Sequence, residues 1–221
     1  VKGKRMLKYF IIAITALSTI GANAETLSKV TLDSGQEVIH FEGKYEKGTA
    51  KRLYDYAKET GLKTVSFNSG GGISTEGDGA AWVMNNLQLV ALVKKENSCM
   101  SACAITMLGA PVVIIKGLVG FHPAYLPVPM KDGDKAFTTG QKIAMNDTIF
   151  LKDKGVSNQV IRTIGYFGKP DMFFILTDSS DWRRMFDKTN KPYTNLELLG
   201  KMWHSDVIGA YLAFTKRGIT L

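Results

Sequence analysis

The chain has 221 residues, 45% of them hydrophobic and 22% charged, a balance that excludes an intrinsically disordered protein, a collagen-like fibre and a disulfide-dense miniprotein. Two cysteines cannot build a cysteine-rich zinc site, and only three histidines could supplement them. The net charge of +8 suggests nucleic acid as a partner, so where that charge lies matters first.

Much of it opens the chain. Lys2, Lys4, Arg5 and Lys8 precede an apolar run from Tyr9 to about Ile20, and the segment ends Ala22-Asn23-Ala24. A basic stretch, a short apolar stretch and an A-x-A site are the three parts of a secretory signal peptide over residues 1–24. The apolar run is short for a transmembrane helix; the alternative is an uncleaved anchor through residues 9–20. Residues 1–24 hold four of the 28 basic side chains and no acid, so residues 25–221 carry 24 basic against 20 acidic, a net +4. No basic stripe interleaved with aromatics appears, and nucleic acid loses its support as a partner. The expectation is an exported, periplasmic protein with a single domain over residues 25–221. There Cys99 and Cys103 meet an oxidising compartment in which a disulfide persists.

Residues 37–42 alternate in strand fashion until Gly43, and residues 47–60 carry Leu53, Tyr54 and Ala57 at helical spacing before Gly61. Thr64–Phe67 is a short strand running into a turn at Asn68-Ser69-Gly70-Gly71-Gly72. A helix is expected over about 80–89, a buried strand over 90–93, and a helix opening at Cys99-Met100-Ser101-Ala102-Cys103 and running to Leu108. Strands follow at 112–115 and 118–121. After a proline-rich loop over 123–138 the chain turns mostly helical: 139–154, 157–166, and short helices from 171 onwards, including Met172–Leu176. Alternating strands and helices predict an α/β fold with a largely parallel sheet.

Three places in this order carry candidate chemistry. Glycines at a strand end expose backbone N–H groups that can hold an oxyanion, although the bland reading is a tight turn. Neither G-x-G-x-x-G nor the Walker pattern is present. Ser101, at an expected helix start, is a nucleophile candidate or simply an N-cap, and the G-x-S-x-G elbow motif is absent. Its neighbours Cys99 and Cys103 are a disulfide pair, small buried residues, or nucleophiles themselves. A serine nucleophile needs a base. His122 follows a strand end and precedes Pro123, where parallel sheets place their sites. His40, inside a strand, and His204, in a helical tail, read as structural histidines.

Taken in order, N-S-G-G-G, a helix, a strand, C-M-S-A-C, a strand pair, G-F-H-P, helices and the Asp171 of K-P-D-M-F-F-I-L-T resemble the proteolytic subunit of Clp protease in the Clp/crotonase superfamily. More narrowly they resemble its exported relatives with a C-x-S-A-C motif. The resemblance covers about residues 37–186 and implies a spiral of β-β-α units. It implies a serine peptidase in which Ser101 attacks the peptide carbonyl, His122 takes its proton and Asp171 orients the imidazole. Asp178 and Asp181 are the competitors of Asp171. The N–H groups of Gly71 and Ala102 would form the oxyanion hole, with no metal and no cofactor. The partners implied are a peptide or protein substrate and further copies of the chain, since ring contacts order the triad in the family. Nothing resembles the features that dock an ATPase, and an exported protein would lack ATP. The sequence also departs from the family. Gly70 replaces a proline, Ser101-Ala102-Cys103 replaces Ser-Met-Gly, the serine-to-histidine segment is shorter, and the 123–138 loop stands where the family turns into a long handle helix. The alternative is a catalytically silent Clp-like fold serving as an exported binding or assembly module.

Overall fold

The computed structural model describes residues 25–125, 131–167, 171–186 and 191–217. The expected signal peptide at 1–24, with its apolar run at 9–20, lies outside the described residues, as does the 126–130 part of the proline-rich loop. Among the described residues no helix is long and apolar enough to cross a membrane.

The chain begins with an antiparallel pair, β1 (Thr26–Thr31) and β2 (Glu37–Tyr45), and then enters a parallel region. α1 (Thr49–Thr60) buries Leu53 and Ala57 and ends at Gly61, whose left-handed backbone returns its N–H to the Ala57 carbonyl. The start of α1 is capped from elsewhere: the Glu76 carboxylate accepts the N–H groups of Gly48 (2.8 Å) and Ala50 (3.0 Å). Glu25 anchors the same helix. It is buried, ion-paired to Arg52, and accepts the Thr49 hydroxyl at 2.7 Å. Burial raises its carboxyl pKa, but Arg52 and Thr49 outweigh that and hold it below the ordinary range.

The sheet branches at β3 (Thr64–Gly72). The first half of this strand pairs in parallel with β2 and with β4 (Val90–Val93); farther on, Ser69 pairs with Cys99 of β5 (Ser98–Met100). β6 (Val112–Ile115) joins β4, and β7 (Leu118–Phe121) joins β5, again in parallel. The pairs β4–β5 and β6–β7 therefore each send one strand to either branch, and the β4–β5 pair is followed by the short helix α3 (Ala102–Met107). This is a β-β-α unit, in a mixed α/β fold whose sheet is largely parallel. The apolar runs at 90–93 and 118–121 form β4 and β7 at the expected bounds; β7, an inner strand with a neighbour on either side, is buried throughout.

Several boundaries differ from expectation. The glycines are no separate turn: β3 runs through them, with Lys44 opposite Gly71 and Tyr45 opposite Gly72. α2 (Ser74–Asn86) starts six residues early because its glycines serve packing. A Cβ on Gly77 would lie 2.6 Å from the Ala102 carbonyl oxygen, so only glycine lets α2 reach α3. Residues 99–103 are not all helix, since Cys99 and Met100 end β5 and α3 begins at Ala102. α4 (Gly133–Asp153) takes up part of the expected loop, capped by the Asp132 side chain on the Lys135 N–H. After α5 (Asn158–Phe167), the predicted helix 172–176 is a strand, β8, antiparallel to β7 with Phe121 opposite Phe174. Five consecutive apolar residues with two aromatics suit a buried strand better than a one-sided helix. The end of the described chain runs α6 (Ser179–Arg184), α7 (Asn195–Gly200), β9 (Met202–His204) and α8 (Ser205–Lys216), with β9 antiparallel to β8.

Candidate active site

Ser101 sits between the end of β5 and the start of α3 with φ 56° and ψ −122°. A positive φ is costly for any residue with a Cβ, about 1–3 kcal/mol, and persists only where the surroundings enforce it. The serine does not cap α3: its side chain makes no capping hydrogen bond. Its N–H donates to the Gly120 carbonyl of β7 at 2.8 Å. A strand, a strained serine and a helix in immediate succession form the backbone of a nucleophile elbow, although the G-x-S-x-G signature is absent. A disulfide joins Cys99 in β5 to Cys103 in α3, with Cα atoms 5.1 Å apart.

Gly71 lies against this elbow at φ 93°. A Cβ placed there would be 2.6 Å from Ser101 Cβ, 2.7 Å from the Met100 carbonyl oxygen and 3.1 Å from the Ala102 nitrogen. The absence of a side chain at 71 is thus what lets the two strands and the helix start meet. The two candidate oxyanion donors, Gly71 and Ala102, are brought together with Ser101. The Gly71 N–H is engaged by the Ser69 hydroxyl at 3.1 Å, so that hydroxyl must turn away before the N–H can hold an oxyanion.

His122 follows β7 directly. Its ring packs against Phe173 of β8 (centroids 4.6 Å) and Tyr125 (5.5 Å). Nδ1 is buried without a hydrogen-bond partner, and burial pushes the imidazole pKa below the ordinary histidine range, against an opposing contribution from the Pro123 backbone. Among the described residues no hydrogen bond joins His122 to Ser101.

Asp171 is directed elsewhere. It is not a helix start but the residue before β8, and its Oδ2 lies 3.0 Å from Nε2 of His204. The expected hydrogen bond from Asp171 to His122 is therefore not made. The reason is register: β8 pairs with β9 so that Met172 faces His204, which puts the Asp171 carboxylate beside that imidazole. Neither competitor takes its place. Asp178 caps α6 through the N–H groups of Ser180 and Asp181, and Asp181 is buried in an ion pair with Lys201.

Sequence reasoning missed three contributors. His204 is at a strand end rather than in a helical tail, half-buried and flanked by Asp171 and Asp206. Ser69 holds the Gly71 N–H. Asp147 of α4 accepts the Ala124 N–H at 3.2 Å, two residues past His122, and burial, with the nearby Asp78 charge adding to it, raises its pKa. Only Ser69 carried a signal, a hydroxyl two residues before a glycine at a strand end; the other two depend on how distant elements dock.

No protein-family model and no curated protein matches the chain. Among solved structures the chain is similar to a ClpP1 mutant from Listeria monocytogenes, at 14% identity and a TM-score of 0.47, over 73% of this chain and 94% of that one.

Proposed function

We propose that this chain is an exported serine peptidase of the Clp-like type, acting without ATP on peptide bonds. Ser101 is the nucleophile, His122 the base, and Gly71 and Ala102 the oxyanion donors. The observation that carries the reading is the strained Ser101 at a strand–helix elbow with Gly71 and the Ala102 nitrogen against it. His122 Nε2 removes the Ser101 proton as Oγ attacks the carbonyl carbon, and later returns it to the leaving amine; water then hydrolyses the acyl-enzyme. An imidazole whose pKa is lowered is neutral, and so a competent base, at physiological pH. Covalent labelling of Ser101 by a fluorophosphonate probe tests this reading. No labelling of the folded protein would reject it.

The labelling rate should rise with pH and level off, with its midpoint below the ordinary histidine value of 6.5. Stability moves in the same direction. The folded-state pKa is depressed, so the unfolded chain binds this proton more readily. The contribution of His122 is complete above 6.5 and lost as pH falls through its folded value. A labelling midpoint above 6.5 would contradict burial of the base.

The matched segment assigns Asp171 the orienting role, for which its carboxylate must leave His204 for His122, and Asp171→Asn should then slow labelling by about 10³–10⁴-fold, because the wrong tautomer is stabilised. The bond to His204 favours the second reading, a silent Clp-like binding module. Under that reading Asp171→Asn changes nothing at Ser101.

Export and assembly complete the proposal. The native N-terminus should be Glu25, read by N-terminal sequencing; a chain that keeps residues 9–20 in the membrane fraction would reject cleavage. The proposed self-association is supported by α4, a 21-residue helix that leaves Phe137, Met145 and Ile149 exposed.

A further inference from the structure

In a strand–serine–helix elbow the chain turns so sharply that the residues two before and two after the serine face each other. The G-x-S-x-G pattern meets that crowding with glycine at both positions. Here the same two positions are Cys99 and Cys103, with Cα atoms 5.1 Å apart, a span that a disulfide fits, and their sulfurs are bonded. Both residues are fully buried at 0% exposure, which places the bridge inside the core rather than on a surface loop. Cys99 is fixed in the sheet, opposite Ser69 on one side and Val119 on the other. Cys103 belongs to α3, which packs on α2. Between them Ser101 holds its positive φ with two backbone hydrogen bonds, its N–H donating to the Gly120 carbonyl and its carbonyl accepting the Ile105 N–H at 3.1 Å, and with no capping bond from its side chain. Neither bond ties the residues before and after the serine to each other, and a strained conformation needs surroundings that over-determine it; the disulfide is the covalent tie across this turn.

We infer that the Cys99–Cys103 disulfide is the positioning element of Ser101, standing where an elbow ordinarily carries two glycines and making the competence of the site depend on oxidation. The inference rests on the reading of Ser101 as nucleophile. Reduction by a dithiol breaks the S–S bond, transfers two electrons and two protons to give two thiols, and leaves the reagent as its cyclic disulfide. Two unbonded sulfurs cannot stay at bonding distance, so the end of β5 and the first turn of α3 move apart and Ser101 relaxes from its strained φ.

The test compares oxidised protein, dithiothreitol-reduced protein and the C99A/C103A variant, with thiol content verified by mass. Two readouts are taken: the rate of fluorophosphonate labelling, and amide hydrogen exchange of the 98–104 segment against that of β2. Reduction should slow labelling by about 10–100-fold, as misplacement of a reacting group does, and should speed exchange in 98–104 while β2 stays protected. Reoxidation should restore both. C99A/C103A should match the reduced protein and ignore dithiothreitol. Reduced protein that labels and exchanges at the oxidised rate would overturn the inference, whether or not the variant folds. If the oxidised protein does not label at all, the nucleophile reading fails by itself. Exchange then decides the positioning role: faster exchange in 98–104 on reduction upholds it, and unchanged exchange overturns it.

Discussion

Ser101→Ala is expected to abolish fluorophosphonate labelling completely while leaving the fold intact. The two halves of that expectation have separate physical grounds. Loss of Oγ removes the only atom proposed to bond the probe, and no neighbouring group can substitute at that elbow. The fold survives because the hydroxyl is not structural: it makes no cap to α3, so truncation forfeits no hydrogen bond. The backbone strain at φ 56° is common to serine and alanine and cancels in the comparison. Thermal unfolding should therefore shift by no more than about 1 kcal/mol. Labelling that persists in the variant would point to another serine, Ser69 or Ser98, and would remove the elbow from the chemistry.

Gly71→Ala should damage both stability and reactivity. An alanine at φ 93° carries backbone strain, and its Cβ would overlap Ser101 Cβ at 2.6 Å and the Met100 carbonyl oxygen at 2.7 Å. Neither neighbour is the end of a flexible side chain, so the backbone itself must shift. Strain and overpacking together place the cost at about 2–6 kcal/mol, read as a lowered denaturant midpoint. Measured well below its unfolding transition, the variant should label Ser101 about 100-fold more slowly, because the displaced strand no longer presents the Gly71 N–H to an oxyanion. A variant that is destabilised yet labels at the wild-type rate would take Gly71 out of the oxyanion hole and leave it a packing glycine.

The residues of the elbow were legible in the sequence, but its leading strand was not: 99–103 read as a helix opening, whereas Ser98–Met100 is β5. The short apolar runs at 90–93 and 118–121 become strands at their expected bounds. Local patterning reads these well because periodicity and flanking glycines are properties of neighbouring residues. It misread Met172–Leu176 and the start of α2 for the same reason. The first is a strand because β7 offers it an edge, and the second runs through Gly77 and Gly79 because α3 and α1 lie too close for side chains there.

By itself, the amino-acid order determined the α/β class, the adjacency of Ser101 to its two cysteines, and the placing of His122 at a strand end. Each of these follows from covalent proximity and the pattern of apolar residues. Only the tertiary structure decided which side chain each polar group meets. That Asp171 bonds His204 depends on the β8–β9 register, between strands about 30 residues apart in the chain. That Gly71 abuts Ser101 depends on two parallel strands meeting, and that His122 Nδ1 is buried without a partner depends on how Phe173 covers it. Contacts between distant residues are set by packing the whole core at once, and no window of sequence contains that information.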